Sequence, residues 1–258
     1  MLNQNDDKPG TGMEQNINIF GQPTGPALEN WQARTFPGPV TLTGQYCRLE
    51  PLNAGQHTDH LYQAFHPATG NPAFWTYLSV GPFDDPQSFS AFIRTAVASR
   101  DPLYFAVVDL RSEQAVGLLS LMRTDVRNGV TEVGHVMFSP SLQRTILSTE
   151  AQFLLMQYVF SALKYRRYEW KCDSLNAPSR NAALRLGFQF EGIFRQAVVY
   201  KGRSRDTAWF SVIDSDWPRL NTAFQRWLSA DNFNAQGEQL CRLQQMIRQA
   251  QAAAEPRG

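Results

Sequence analysis

Three strand-like segments follow one another without an intervening helix, and this run constrains the fold more than any other feature of the sequence. Leu103–Leu110 is almost wholly apolar, and Ala115–Met122 follows it. Thr131–Phe138 comes next, after a predicted turn at Arg127-Asn128-Gly129. The apolar segment Thr149–Leu163 then has the length of a helix. Doubly wound sheets alternate strand and helix, so this order indicates a mixed α/β (α+β) domain of another kind.

The remaining segments suggest a central domain with an extension at each end. Residues 1–40 are rich in Asn, Gln, Gly and Pro, which predicts an N-terminal arm. We expect the domain to span residues 41–215 and a helical tail to occupy residues 216–258. The other predicted elements of the domain are strands at Gln45–Glu50, Tyr168–Cys172, Gln189–Gly192, Ala197–Lys201 and Thr207–Ile213, and helices at Gln56–Phe65, Pro86–Arg100 and Asn176–Leu186.

Composition excludes several classes of protein. A chain of 258 residues with 43% hydrophobic residues can form an ordinary core, and its net charge of +1 does not favour a nucleic acid or membrane partner. Cys47, Cys172 and Cys241 are odd in number and far apart, so we predict free thiols and neither disulfides nor a metal site. The polar start of the chain does not resemble a signal peptide, which predicts a cytoplasmic protein.

The segment before the long apolar helix is a candidate anion site. Thr149 and Gln152 have capping-box spacing, which predicts that the helix begins at Thr149. Free N–H groups and the helix dipole at such a position favour a pyrophosphate, and Arg144 adds a positive charge. The alternative is an ordinary capped helix that carries a surface arginine.

Two motifs carry a family resemblance. Gln143–Ser148 stands where GNAT acetyltransferases have their Gln/Arg-x-x-Gly-x-Gly/Ala loop, which holds the pyrophosphate of CoA. The block from Asn176 through Ser179 to Gly187-Phe188 resembles the second GNAT signature, and Glu191-Gly192 after it is also similar. With the order of elements, residues Gly44 to Ile213 resemble the branch of the RimJ and RimL ribosomal-protein N-terminal acetyltransferases.

This resemblance implies a fold, a reaction and a cofactor site. The GNAT fold has a central mixed, mostly antiparallel, twisted sheet flanked by helices. The implied reaction is direct transfer of an acetyl group from acetyl-CoA to an amine, either of a small molecule or of a protein N-terminus. The loop glycines are replaced by Ile146 and Ser148, which leaves open a catalytically weak or inactive CoA-binding protein. The implied cofactor contacts are Met137, Phe138, Gln143, Arg144, Thr145, Ile146, Leu147, Ser148, Thr149 and Asn176.

The third strand of the run is the expected catalytic platform. The resemblance implies that it splays from the next strand and that pantetheine lies in the gap. Strict alternation places Glu132, Gly134, Val136 and Phe138 on one face, with Val133, His135 and Met137 on the other. A base must take a proton from the attacking amine, and Glu132 is the first candidate and His135 the second. The alternatives are a solvated strand-end charge for Glu132 and a hydrogen-bonded core residue for His135.

Three further expectations concern the leaving group, the acceptor and the tail. Ser179 matches the serine that stabilises the leaving thiolate in the RimL-like branch, and the alternative is a first-turn serine behind an Asn176 N-cap. Trp75 and Tyr77 are candidate walls of the acceptor site, or else ordinary packing residues. The apolar pattern Leu240, Leu243, Met246 and Ile247 predicts a tail that docks on the domain or forms a homodimer seam.

Overall fold

A computed structural model describes residues 16–66 and 72–254. Contacts divide the chain into one unit up to Ala33 and a second from Arg34. The described part of the first unit holds two short antiparallel strands, β1 (Asn16–Ile17) and β2 (Pro23–Thr24). The main body takes in residues 34–40, which were assigned to the arm by composition, because Arg34 N–H donates to Val126 O within that body at 2.8 Å.

An eight-stranded sheet forms the centre of the main body, in the order β3-β4-β5-β6-β7-β8-β10-β9. Every neighbouring pair is antiparallel except β7 and β8, which are parallel. This mostly antiparallel sheet confirms the fold class that the strand run and the resemblance predict. The strands are β3 (Leu42–Thr43), β4 (Cys47–Pro51), β5 (Leu103–Asp109), β6 (Gln114–Asp125), β7 (Val130–Phe138), β8 (Arg167–Asp173), β9 (Gln189–Tyr200) and β10 (Arg203–Ile213).

Helices cover both faces of the sheet. One core cluster lies beneath α3, α5 and α6, and a second lies beneath α1 and α2. Among the described residues, no helix is long and apolar enough to cross a bilayer. The helices are α1 (Ala54–Phe65), α2 (Pro86–Ala98), α3 (Ile146–Gln157), α4 (Ala177–Arg185), α5 (Trp217–Leu228) and α6 (Leu243–Ala254), with a π-helical turn at Tyr158–Ala162 after α3 and short 3-10 turns at Pro72–Trp75 and Ala230–Asn232.

Helix α3 begins three residues before the predicted start. Its N-cap is Thr145, whose hydroxyl accepts from Ser148 N–H at 3.3 Å. The capping-box assignment of Thr149 is therefore wrong, because Thr149 and Gln152 both lie inside the helix and are buried. The Thr145 side chain caps one amide of the first turn, that of Ser148, and the sequence has a threonine at both positions.

Glu150, in the first half of α3, anchors that helix to the start of β4. Its carboxylate accepts backbone N–H groups of Gln45, Tyr46 and Cys47, each at 2.7 Å, and the residue is 2% exposed. A Cβ atom at Gly44 would collide with this carboxylate, so glycine is required for the close approach. The anchor sets the position of α3, and hence of its first turn, relative to the sheet.

A β-bulge in β7 overturns the predicted alternation. Ser120 pairs with Gly134 and Leu118 with Met137, so two residues of β7, His135 and Val136, oppose one residue of β6. His135 adopts a positive φ of 47° at this point. Beyond the bulge the faces exchange. Met137 therefore packs in the α1–α2 cluster, while Val136 and Phe138 pack with Val133 against the α3 cluster.

The C-terminal half differs from the prediction in one strand, and its tail packs on the domain. β9 is a single strand through both segments that were predicted separately, and bulges against β10 accommodate its irregular middle. The tail docks on the domain, because Leu243 and Met246 are 1% and 6% exposed in the α3 cluster and Ile247 packs against it. Leu240 precedes α6 and is 68% exposed.

Candidate active site

Two parallel strands separate in the middle of the sheet. β7 pairs with β8 only from Val130 opposite Arg167 to Val133 opposite Trp170. Beyond this point β8 remains paired with β10, while β7 continues beside β6 as far as Phe138. The edge of β7 that faces the gap therefore presents backbone groups from Gly134 to Phe138 that β8 does not bind, where a ligand with amide groups can pair.

The gap widens into a cleft of about 2230 Å³ that runs across the sheet. The bulged part of β7 and the first turn of α3 form one side, and α4 with the β9–β10 hairpin forms the other. The cleft thus brings together most of the predicted site residues. Those that line it are Tyr77, Glu132, His135, Phe138, Gln143, Arg144, Thr145, Ile146, Ser148, Thr149, Asn176 and Ser179.

His135 is held by Tyr104 from the neighbouring part of the sheet. Its Nδ1 lies 2.6 Å from Tyr104 Oη, and the two rings stack with centroids 5.5 Å apart. Burial, followed by the charge of Arg123, lowers the pKa of His135 below its usual value. Burial also raises the pKa of Tyr104 to about 12, so its hydroxyl stays protonated. The site therefore contains a neutral imidazole with one nitrogen engaged and Nε2 available.

Glu132 is buried, and cations contact both of its carboxylate oxygens. Arg123 Nη1 lies 2.8 Å from Oε1, and Lys171 Nζ lies 2.8 Å from Oε2. Lys171 also contacts Glu169 at 2.7 Å and sits 3.8 Å from the centroid of the Trp209 ring. Both carboxylate oxygens are therefore already engaged in ion pairs, and an incoming amine would have to compete with Arg123 and Lys171 for them.

Ser179 and Asn176 together form the start of α4. Asn176 is its N-cap, since its Oδ1 accepts from Ser179 N–H at 3.1 Å. The Ser179 hydroxyl accepts from Trp170 Nε1 at 3.0 Å and directs its own proton to the Cys172 thiol, so a ligand thiolate would compete with Cys172 for that proton. Burial raises the pKa of the nearby Cys172 thiol, and a hydrogen bond from Ser179 partly offsets this. The packing role and the chemical role weighed for Ser179 are geometrically compatible.

The first turn of α3 closes one end of the cleft. The N–H groups of Ile146 and Leu147 lie in the first turn and have no intrahelical acceptor, so they are directed out of the N-terminal end of α3. Arg144 precedes them with a positive φ of 61° and is exposed. Ile146 stands where the family has glycine. Part of its side chain packs against the α3 core cluster, so only the remainder faces the cleft.

Three other predicted contacts lie at the margins of the cleft. Gln143 Nε2 donates to Phe138 O at 2.8 Å, which ties the loop to the end of β7. Met137 is 1% exposed and only its backbone is available to a ligand. Leu147 packs partly against the α3 core cluster.

The two aromatic candidates for the acceptor wall are placed differently. Trp75 is 5% exposed, and its ring packs in the α1–α2 cluster against Phe65, Phe74 and Phe83, so it supports the wall from behind. Tyr77 lines the cleft itself, and its hydroxyl donates to Leu175 O at 3.2 Å.

Among the residues at the cleft that sequence reasoning missed, three bear on its charge and on its wall. Lys171 and Arg185 are single charges on a strand and a helix, and no local pattern distinguishes them from solvated residues. Trp227 belongs to the tail, which was expected to be remote from the site. It lines the cleft because α5 packs on α3, where Phe224 stacks on Phe153 at 5.3 Å.

A family model described as "Acetyltransferase (GNAT) domain" matches residues 48–189. The chain therefore belongs to the GNAT acetyltransferase family, whose members use acetyl-CoA. A GCN5-related N-acetyltransferase from Brucella melitensis is 48% identical, and its crystal structure aligns with a TM-score of 0.83 over 86% of this chain and 100% of that one.

Two more distant similarities concern a named substrate and a bound ligand. The ribosomal-protein-serine acetyltransferase of Escherichia coli (strain K12) is 29% identical over 106 residues, which are 41% of this chain and 59% of that protein. The microcin C7 self immunity acetyltransferase MccE, solved in complex with acetyl-CoA and AMP, is 21% identical with a TM-score of 0.58 over 66% of this chain and 93% of that one. This last similarity concerns the fold.

Proposed function

We propose that this protein is an N-acetyltransferase that transfers the acetyl group of acetyl-CoA directly to a primary amine. The observation that carries the proposal is the separation of β7 from β8 after Val133 and Trp170, which opens a backbone edge leading to the first turn of α3. Such an edge suits the amides of pantetheine, and the helix start with Arg144 suits a pyrophosphate. MccE, a protein of the same fold, is solved in complex with acetyl-CoA, which supports acetyl-CoA as the ligand.

We assign the general base to His135 in place of Glu132. An unprotonated imidazole at the bulge accepts the amine proton at Nε2 while Tyr104 Oη accepts from Nδ1–H. Glu132, between Arg123 and Lys171, keeps the local charge balanced. Backbone N–H groups on the open edge of β7 stabilise the oxyanion, and the Ser179 hydroxyl donates to the departing thiolate. No covalent enzyme intermediate is needed.

We infer that the acceptor is a primary amine of a small molecule or of a protein N-terminus. Similarity to a ribosomal-protein-serine acetyltransferase supports testing a peptide N-terminus. We infer from it, and from the motif at Asn176–Phe188, that the chain belongs to the RimJ and RimL branch of the family. The aromatic side chains of Tyr77, Phe194 and Trp209 at the cleft offer apolar surface beside the reacting amine.

The test is thiol release from acetyl-CoA in the presence of a panel of amines. The panel contains simple alkyl amines and peptides with a free N-terminal serine, and the matched peptide with a blocked N-terminus is the control. We expect release only with free amines, and His135→Gln to lower kcat about 100-fold or more. Acetyl-CoA binding without release for any amine would contradict the enzyme assignment. A greater loss in Glu132→Gln than in His135→Gln would return the base to Glu132.

A further inference from the structure

Arg185, the last residue of α4, is a half-buried cation that lacks an ionic partner. Its Nη1 donates to Thr149 Oγ1 at 3.0 Å, and its guanidinium carbon lies 5.1 Å from the centroid of the Trp227 ring. Within residues 16–66 and 72–254, none of the ion pairs includes Arg185. Burial lowers its pKa, as expected for a cation without a nearby carboxylate.

Burying a charge without a counter-charge is costly, and proteins rarely keep such a group unless a ligand completes it. Arg185 lines the cleft beside Ser148 and Thr149 of the first turns of α3. Both its neighbour Thr149 and its stacking partner Trp227 are uncharged, so the guanidinium retains its full charge and most of its donors. These properties match a phosphate group.

The C-terminal tail holds the Trp227 ring in place beside Arg185. Trp227 is 3% exposed, and its Nε1 donates to Gln239 Oε1 at 2.9 Å. Asn232 closes the same segment, since its Nδ2 donates to Trp227 O and its Oδ1 accepts from Cys241 N–H. The family match ends at residue 189, so this wall of the cleft comes from outside the matched region.

We infer that Arg185, held between Thr149 and Trp227, binds a phosphate group of the cofactor and that the C-terminal tail completes this end of its site. The inference rests on the proposed function, since it takes the ligand of the cleft to be acetyl-CoA. It also offers a physical reason why the protein can dispense with the loop glycines at Ile146 and Ser148. The guanidinium N–H groups supply part of the hydrogen bonding to phosphate that backbone N–H groups supply where glycine allows a closer approach.

The test is calorimetric titration of the full chain with acetyl-CoA. Arg185→Met keeps an unbranched side chain on Trp227 and removes the charge, and Arg185→Lys keeps the charge. Arg226→Gln, on the exposed side of α5, is the matched control for net charge. We expect Kd to rise about tenfold in Arg185→Met, in line with the loss of a charge-assisted hydrogen bond. Arg185→Lys should recover much of that loss, and Arg226→Gln should bind as the unaltered protein does.

Two shortened ligands identify the phosphate. If Arg185 contacts the 3′-phosphate, the Arg185→Met penalty disappears with 3′-dephospho-acetyl-CoA. If it contacts the pyrophosphate, the penalty persists there and disappears with S-acetyl-pantetheine. Should Arg185→Met not fold, Thr149→Val removes the anchoring hydrogen bond and should weaken binding about threefold.

An unchanged Kd in Arg185→Met, or an equal loss in the Met and Lys variants, would overturn the inference while leaving the proposed function intact. Failure of the unaltered protein to bind acetyl-CoA would instead remove the proposed function.

Discussion

Tyr104 Oη on β5 lies 2.6 Å from His135 Nδ1 on β7, across the intervening strand β6, and the two rings stack at an interplanar angle of 8°. Tyr104→Phe keeps the stacking and removes this hydrogen bond. We expect kcat to fall about fivefold, the factor that corresponds to about 1 kcal/mol. KM for acetyl-CoA should not change.

The pH profile of Tyr104→Phe distinguishes the two tautomers of His135. If Tyr104 accepts from Nδ1–H, it stabilises the imidazolium more than the neutral ring, and its loss lowers the pKa further. The acidic limb of kcat/KM should then move to lower pH. A move to higher pH would show that Tyr104 donates to Nδ1, which leaves Nε2 protonated and excludes it as the base.

Arg123 is the second cause, after burial, of the lowered pKa of His135. In Arg123→Gln this pKa should rise toward its usual value, because a positive charge that opposes protonation is gone. Activity that depends on the neutral ring should therefore be lost at a higher pH on acidification. The measurement is the pH dependence of kcat/KM, with Arg94→Gln on α2 as the control that should leave the profile in place. If the acidic limb did not move, the protonation of His135 would not control kcat/KM.

Ser179→Ala should affect both stability and the leaving group. Trp170 Nε1 loses its acceptor, and we expect the free energy of unfolding to fall by about 1–2 kcal/mol. If the hydroxyl also donates to the departing thiolate, the loss of kcat should shrink for a thioester of a more acidic thiol. Trp170→Phe breaks the same contact but keeps the hydroxyl, so its kinetic defect should show no such dependence. Equal defects for both thioesters in Ser179→Ala would confine Ser179 to a structural role.

The anchor between Glu150 and the start of β4 should matter for stability. In Glu150→Gln an amide nitrogen faces a backbone N–H, and we expect a loss of about 3 kcal/mol in urea unfolding. Gly44→Ala should cost about 2 kcal/mol through overpacking against the same carboxylate. Glu113→Gln breaks an exposed ion pair with Arg48 and should cost less than about 1 kcal/mol. Comparable losses in all three variants would mean that the buried anchor contributes little.

Sequence reasoning predicted the elements of the sheet well and the site only in part. The strand run and the helix between the parallel strands were predicted correctly, because burial produces clear hydrophobic periods. The predicted start of α3 was wrong because the sequence alone does not distinguish Thr145 from Thr149 as the N-cap. The faces of β7 after Gly134 were wrong because a bulge leaves no mark in residue type.

The charged part of the site could not be derived from local patterns. The ion pair of Glu132 with Lys171 joins β7 to β8, and the contact of Arg185 with Trp227 joins α4 to the tail. Each contact depends on how distant segments pack, so no spacing along the chain encodes it. Cys47, Cys172 and Cys241 carry free thiols.

Because of the bulge at His135, the direction of the imidazole depends on the number of residues in β7 as well as on their types. Deleting one residue between Gly134 and Met137 would give β7 a regular ladder with β6. Met137 and Phe138 would keep their pairing with Leu118 and Gly117, whereas the one residue left between Gly134 and Met137 would lie opposite Leu119, on the face of the sheet that Val133 occupies. A lineage that lost this extra residue could keep its fold and its motifs intact and still have no imidazole aimed into the cleft.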